Sequence, residues 1–258
     1  MKHTLKYQQF ILKYQQFIFV LSLAAFVYMW LAASWVWITA GFLYYKFFVG
    51  LIGNQVANHR YFSHNSFSTS RFKHYFLYFA SLTTGVNPVY YANAHRHHHL
   101  HSDQPNDVHS PQVKLHHIFT PLYGLHSGID FIRISAILDR PLQKINQYWA
   151  WIFLGFVAAG AAINWKIACY VILPAVIWNY IHMIVLRIWL AHWPLKGSYR
   201  NFDTNDQSYN HRWIHYFDLG EGLHNNHHRY PNQYNQAMMP GEFDFAGAMV
   251  EKFFIKQP

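Results

Sequence analysis

A long stretch with almost no charge constrains this chain more than any other feature. From Phe17 to Ile52 the only charged residue is Lys46. A helix that crosses a bilayer needs about 20 apolar residues, so this stretch is too long for a single crossing. We therefore expect two spans, at about residues 17–32 and 34–53, joined by a tight turn near Ala33.

The composition indicates a membrane protein with a large polar portion. Hydrophobic residues make up 52% of the 258 residues and charged residues 12%, whereas soluble domains carry about 25% charged residues. The mean hydropathy of -0.05 is too low for a chain that lies wholly in lipid. We expect a second pair of spans at about 147–163 and 167–190, which leaves residues 54–146 and 192–258 outside the membrane.

Two pairs of spans return the chain to its starting side, so both outside segments face the same compartment. Most Lys and Arg residues fall on that side, and the positive-inside rule makes it cytoplasmic. We interpret residues 72–92 as an interfacial helix followed by a turn, because a crossing there would put the histidine-rich parts of the chain before and after it on opposite sides of the membrane. A seven-residue direct repeat occupies residues 5–18, and residues 1–16 are expected to form an interfacial segment ahead of a single domain, 17–258.

The net charge of +9 is spread along the chain without a basic run. This distribution favours contact with lipid headgroups over binding of nucleic acid. The single cysteine, Cys169, lies in an apolar segment. A disulfide within the chain is excluded, and a cysteine-based metal site is disfavoured.

Three histidine-rich motifs fall in the outside segments. Neutral imidazole binds transition metals near pH 7. On a helix, positions i, i+3 and i+4 share a face, so each H-x-x-H-H motif can direct three imidazoles toward one point. The eight imidazoles exceed the needs of one ion and predict two ions, with iron fitting best while zinc and copper stay open. The motifs are His59-x-x-x-x-His64, His95-x-x-His98-His99 and His224-x-x-His227-His228.

The order and spacing of these motifs resemble the membrane Δ9 fatty acyl desaturases. The similarity continues in Ser102-Asp103, Asp107 and His109-Ser110-Pro111, in Gly220-Glu221-Gly222, and more weakly in Asn201 to Asn210. The resemblance implies an all-α membrane protein with four transmembrane helices and a cytosolic helical His-rich cap that holds two iron ions. It also implies a ninth histidine, supplied by His192, and an asparagine at position 188, where this chain has Ile188.

The implied activity is O2-dependent desaturation of a long-chain fatty acyl substrate, with a cis double bond inserted at the Δ9 position. The aromatic-rich spans would line an apolar substrate tunnel. The implied partners are a fatty acyl thioester or acyl lipid, dioxygen, membrane lipid and an external electron donor, either ferredoxin or a b-type cytochrome with its reductase. The implied metal ligands are His59, His64, His95, His98, His99, His192, His224, His227 and His228. We expect a multi-pass protein of a bacterial inner membrane rather than the endoplasmic reticulum.

Polar residues near the motifs are candidates to orient the imidazoles through their second ring nitrogen. A solvated loop carboxylate or a helix-capping asparagine explains them equally well. Two further histidines of the second motif, His97 and His101, lie on the wrong face for metal binding. The candidates are Asp103, Asp107, Asp206, Glu221, Asn225 and Asn226.

Three other interpretations stay open at this point. A related His-motif membrane hydroxylase of fatty acids, alkanes or carotenoids shares the metal chemistry. A membrane metal transporter or sensor is a different class, but transporters place their ligands near the middle of the spans. An inactive homologue is suggested by Ile188.

Overall fold

The computed structural model of the protein describes residues 2–107 and 137–255, with backbone alone for 2–8 and 186–188. In these residues the fold is helical apart from one short ribbon, in which Ser198–Tyr199 (β1) pairs antiparallel with Asn210–His211 (β2). The helices are α1 (Lys2–Ala32), α2 (Trp35–Ser63), α3 (Arg71–Leu82), α4 (Pro88–His101), α5 (Arg140–Asn146), α6 (Trp149–Ile163), α7 (Ile167–His192), α8 (Arg212–Asp218), α9 (His224–Arg229) and α10 (Phe245–Met249, continued by a π-helical turn, Val250–Phe254).

Three of the described helices are long and apolar enough to cross a membrane: Gln9–Ala32 within α1, the whole of α2, and α7. Helix α6 is also apolar but has 15 residues. At 1.5 Å per residue it extends about 22 Å, which is shorter than a hydrocarbon core of about 30 Å. Three candidate spans are therefore established by length, and the fourth is not.

The predicted tight turn between the first two spans is confirmed. Ala33 adopts a left-handed conformation with φ of 48°, and α2 begins two residues later. The boundary predicted between residues 16 and 17 is not a break, because α1 runs through it without interruption. Ile11 and Ile18, on either side of that boundary, are both fully buried.

Helix α2 extends well beyond the predicted end near Gly53 and reaches Ser63. The prediction ended the helix where its sequence becomes polar, but these polar side chains are buried and have partners inside the protein. Asn54 Nδ2 donates to Asn179 Oδ1 at 2.8 Å, and Asn58 Nδ2 donates to Thr84 Oγ1 at 3.2 Å. The first histidine motif consequently lies on the end of a continuous helix.

Two glycines let neighbouring helices approach α2 closely. A Cβ atom at Gly41 would lie 2.1 Å from the carbonyl oxygen of Tyr170 in α7, and one at Gly53 would lie 2.5 Å from that of Ala80 in α3. Small residues at helix interfaces allow this kind of backbone contact. The contacts fix α3 and α7 against the helix that carries the first motif.

The helix and turn predicted within residues 72–92 are present as α3 and a turn at Gly85, where φ is +74°, and a second helix, α4, follows the turn. Asn87 starts α4, since its side chain accepts hydrogen bonds from Val89 N at 2.9 Å and Tyr90 N at 3.4 Å. Pro88 at the first helical position suits this cap. Helix α4 then packs against α2 and brings the second histidine motif beside the first.

Candidate metal centre

The nine predicted histidines form two clusters. Within each cluster, one nitrogen from every ring lies within 4.8 Å of those of all the other rings. We call them the five-histidine cluster (His59, His64, His95, His99 and His227) and the four-histidine cluster (His98, His192, His224 and His228). The helices α2, α4, α7 and α9 thus deliver distant parts of the chain to one place.

The clusters divide the second and third motifs in the same way. In the second motif, His95 and His99 join the five-histidine cluster and His98 joins the other; in the third, His224 and His228 stay together and His227 crosses over. The expectation that each motif directs three imidazoles to one point is therefore wrong. The pair at i and i+4 stays together, while the histidine at i+3 turns toward the neighbouring cluster.

The Nε2 atoms of the five-histidine cluster lie in van der Waals or hydrogen-bond range of one another. The separations are 3.0 Å for His59 and His227, 2.8 Å for His227 and His99, 3.1 Å for His99 and His95, and 2.8 Å for His95 and His64. Imidazole nitrogens lie about 2.0–2.1 Å from a bound metal such as zinc. Nitrogens this close to one another are compatible with a shared ion.

Carboxylates bind the other ring nitrogen of four cluster histidines. Because an ionised carboxylate only accepts hydrogen bonds, each of these rings carries a proton on Nδ1, and in the neutral ring Nε2 is then unprotonated. The pairs are His59 with Glu221 at 2.9 Å, His98 with Asp107 at 2.9 Å, His192 with Asp103 at 2.9 Å, and His228 with Asp206 at 2.6 Å.

This proton arrangement makes the four-histidine cluster suitable for a cation. In their neutral forms, His98, His192 and His228 direct Nε2 lone pairs into this cluster. The buried Nε2 of His228 has no hydrogen-bond partner in the described part of the chain. Converging lone pairs repel one another unless a positive ion lies between them, so the residues fit a bound metal.

Burial keeps most cluster histidines neutral. It lowers the pKa of His95, His99, His224 and His227 well below 6.5, and the neighbouring imidazoles lower these pKa values further. Burial also lowers the pKa of His228 to about 4, against the opposing effect of Asp206. Burial also lowers the pKa of His98, but the carboxylates of Asp107, Asp103 and Asp206 together outweigh it and raise the pKa. Neutral imidazole is the form that binds metal.

The aspartates are themselves held in place by backbone and hydroxyl groups. Asp107 Oδ2 accepts from Asp103 N at 2.8 Å, and Asp103 Oδ2 accepts from Gln207 N at 2.7 Å. Asp206 Oδ1 accepts from Ser208 N at 3.0 Å. Hydrogen bonds to a carboxylate limit its movement and therefore that of the imidazole it binds.

Asn225 and Asn226 hold the third motif through side-chain hydrogen bonds and do not cap a helix end. Asn225 Oδ1 accepts from the backbone N–H of Asn201 and of Phe202, both at 2.9 Å. Asn226 Nδ2 donates to Glu242 Oε2 at 2.8 Å. They stabilise the loop before α8 against α9 and contact no cluster histidine through these bonds.

The remaining predicted positions lie elsewhere. His97 is outside both clusters, and its ring bonds the carbonyl of Asn106 at 3.0 Å; His101 is also outside both clusters. The motif His109-Ser110-Pro111 lies outside the described residues, as does the side chain of Ile188. Arg60 follows His59 in the first motif, and its side chain binds Glu221, the carboxylate that also binds His59.

Aromatic side chains predicted to line a substrate tunnel surround a groove between α2, α3 and α6. Its volume is about 480 Å³, and none of the cluster histidines lines it. The tunnel itself stays a prediction. The groove is lined by Tyr44, Phe48, Phe76, Phe79, Ala80, Leu82, Thr83, Ile152, Phe153 and Phe156.

Comparison with known proteins identifies one family. Residues 40–239 match the sequence model described as fatty acid desaturase. The sn-1 stearoyl-lipid 9-desaturase of Anabaena variabilis is 29% identical over 210 residues, which are 78% of this chain and 75% of the relative. The Hex-5-enoyl-[acyl-carrier protein] acetylenase of Moorena producens is 30% identical, covering 71% of this chain and 64% of the relative. The Delta-9 acyl-lipid desaturase 2 of Arabidopsis thaliana is 28% identical, covering 83% and 70%.

Proposed function

This chain belongs to the fatty acid desaturase family, whose members are oxidoreductases, and from that premise we propose that it inserts a cis double bond at the Δ9 position of a long-chain acyl group. The observation that carries the proposal is the convergence of nine histidines into two adjacent clusters. Relatives named as 9-desaturases of stearoyl-lipid and palmitoyl-lipid support the position of the double bond.

We propose that each cluster holds one iron ion through its Nε2 atoms. With dioxygen and two electrons, the pair of ions would supply the oxidising power that unactivated methylene groups require. Two adjacent methylenes lose one hydrogen each, and dioxygen, two electrons and two protons are converted with these hydrogens into two molecules of water. The proposed ligands are His59, His64, His95, His98, His99, His192, His224, His227 and His228.

The protein's own residues prepare this centre before any substrate binds. Asp103, Asp107, Asp206 and Glu221 orient four rings, because each carboxylate accepts from Nδ1 and leaves Nε2 directed toward the cluster. Burial of the rings excludes bulk water, which strengthens each electrostatic contact and limits side reactions of a strong oxidant. The described geometry therefore supports a preorganised metal centre at the ends of α2, α4 and α7.

We propose a four-span topology in which α6 completes the second pair with α7, with residues 17–258 as one catalytic domain and 1–16 at the interface. Both clusters lie close to the ends of the candidate spans, since His59 is in the last turns of α2 and His192 ends α7. This position argues against a transporter, whose ligands lie near the middle of the membrane. We place the histidine-rich cap on the cytoplasmic side of a bacterial inner membrane, in line with the positive-inside rule.

The substrate is proposed to be an acyl chain esterified to a membrane lipid. Five of the similar proteins are named for lipid substrates, which supports this carrier over a thioester. Three others are named for acyl-carrier protein or acyl-CoA substrates, so the thioester is the competing possibility. Electrons would come from ferredoxin or from a b-type cytochrome with its reductase.

Expression in a host without its own desaturase, followed by fatty-acid analysis, tests the function. We expect new cis-Δ9 monounsaturated chains in the lipids, 2 mass units lighter than their precursors, a difference set by the loss of two hydrogens. A product that has gained one oxygen atom would instead identify a hydroxylase. Unchanged lipids from a folded, iron-loaded protein supplied with both electron donors would contradict the proposal.

A further inference from the structure

Arg60 is a charged side chain in the interior of the protein. It follows His59 in the first motif, and only 1% of its surface is exposed. A guanidinium this deeply buried is strongly unfavourable unless carboxylates and other acceptors surround it. Its partners should therefore explain why the position is charged.

The guanidinium binds three acceptors from the C-terminal part of the chain. Arg60 Nη1 donates to Glu221 Oε1 at 2.5 Å, and Nη2 donates to Asp244 Oδ2 at 2.9 Å. Its Nε donates to the carbonyl oxygen of Tyr234 at 2.8 Å. One side chain on α2 thus holds the segment before α9 and the start of α10 in fixed positions.

The contact with Glu221 reaches the five-histidine cluster. The same oxygen, Oε1, accepts from Arg60 and from His59 Nδ1. The orientation of the His59 ring depends on this carboxylate, and the position of the carboxylate depends on the guanidinium. The hydrogen bonds described above for Arg60 go to carboxylate and carbonyl oxygens, so an influence through them on a metal would be indirect.

We propose that Arg60 is a positioning residue that holds Glu221 against His59 and thereby sets the metal affinity of the five-histidine cluster. This inference rests on the proposed metal centre. Without the guanidinium, the buried carboxylate loses its positive partner, and an uncompensated buried charge favours movement of Glu221 away from His59. Loss of such an outer hydrogen-bond partner typically lowers metal affinity about 10- to 100-fold.

The matched control is Asp244→Asn. Asp244 binds the same guanidinium and also accepts from Gln236 N at 2.8 Å and Gly247 N at 2.9 Å, but it does not bind a cluster histidine through these contacts. The variant weakens the attachment of the C-terminal segment and leaves Glu221 with Arg60. Its effect therefore shows how much loss of this structural attachment alone changes metal binding.

The test is anaerobic titration of metal-free protein with Co2+, with ions counted per chain and absorption spectra recorded, together with the thermal unfolding temperature of each variant. We expect the wild type and Asp244→Asn to bind two ions, the latter with a lowered unfolding temperature. Arg60→Gln should bind one ion tightly and the second about 10- to 100-fold more weakly. Arg60→Lys should recover part of that loss, because it restores the positive charge with fewer donors.

Two results would overturn the inference. One is that Arg60→Gln, or Arg60→Lys if the former does not fold, binds both ions as tightly as the wild type. The other is that the Arg60 and Asp244 variants lose the second ion equally, which would assign Arg60 a structural role alone. A wild-type protein that binds no ion would instead contradict the proposed metal centre itself, and that arm of the titration identifies this failure separately.

Discussion

The two histidine clusters stand side by side but are supported differently. In the four-histidine cluster, His98, His192 and His228 each bind an aspartate that accepts from backbone N–H groups or hydroxyls. In the five-histidine cluster, Glu221 binds His59 and shares its oxygen with Arg60. Among the described contacts, the four-histidine cluster has three carboxylates bound to its rings, whereas the five-histidine cluster has one. The cluster with fewer candidate ligands therefore has more negative charge beside it.

The difference in ligand number predicts the largest effect. His224→Ala leaves three imidazoles in its cluster, whereas His64→Ala leaves four in the other. We expect His224→Ala to abolish binding of one ion and to reduce desaturation by more than the roughly 100-fold reached by outer-partner changes. His64→Ala should keep two ions with the second more weakly bound. Metal content and product yield in lipids measure both.

His97→Ala is the control for these two variants, because its ring lies outside both clusters although α4, the helix that carries it, also carries the second motif. It should retain two ions and wild-type product yield. Equal metal loss in His224→Ala and His64→Ala would show that ligand number does not distinguish the clusters.

The division of each H-x-x-H-H motif between the two clusters shows which part of the site could be predicted from the sequence. The H-x-x-H-H spacing correctly brought His95, His98 and His99 to one side of α4, because helical geometry is local. It did not reveal that His98 would belong to a different cluster from its neighbours. That division depends on where α7 and α9 place His192, His224 and His228, which is a matter of long-range packing.

Helix ends were harder to predict than the motifs. The polar residues after Gly53 suggested a loop, but Asn54 and Asn58 find partners on α7 and beside α3, so α2 continues. The carboxylates that face the clusters were suggested by their position near the motifs. Pairing each with a particular histidine required the folded chain, since Asp103 and His192 are far apart in sequence.

The second-largest effect is expected from substitution of the aspartates that bind rings of the four-histidine cluster. Asp107→Asn keeps the size of the side chain but removes the negative charge that holds His98 Nδ1. We expect metal affinity at the four-histidine cluster to fall about 10- to 100-fold, with the five-histidine cluster unchanged. Equilibrium competition with a chelator of known affinity measures each site. An equal loss at both sites would mean that the clusters behave as one unit.

The third-largest effect is expected from a substitution that disturbs both clusters at once. A Cβ atom at Gly222 would lie 2.5 Å from the backbone N and Cα of His215, so Gly222→Ala must displace the start of α9. Overpacking of this kind costs about 1–3 kcal/mol of folding stability. Because α9 supplies histidines to both clusters, we expect both ions to be lost more readily on chelation. Gly155→Ala, which has open space at its Cβ, is the control.

The smallest expected effect concerns position 188. The resemblance implies an asparagine there, four residues before His192, and this chain has Ile188. Ile188→Asn would introduce the polar residue that the resemblance implies, four positions in sequence before His192 of the four-histidine cluster. We expect slower metal release from that cluster, by less than about 10-fold, since a single outer group is added. Metal-release rates in the presence of chelator test this, and faster release would contradict it.

The most direct test of the two-cluster account is the metal content of the purified, iron-loaded protein combined with iron K-edge X-ray absorption. We predict two irons per chain, with nitrogen ligands at about 2.0–2.2 Å and no sulfur ligand, as expected for imidazole coordination. A single iron per chain, or ligation dominated by carboxylate oxygen, would contradict the assignment of one ion to each cluster.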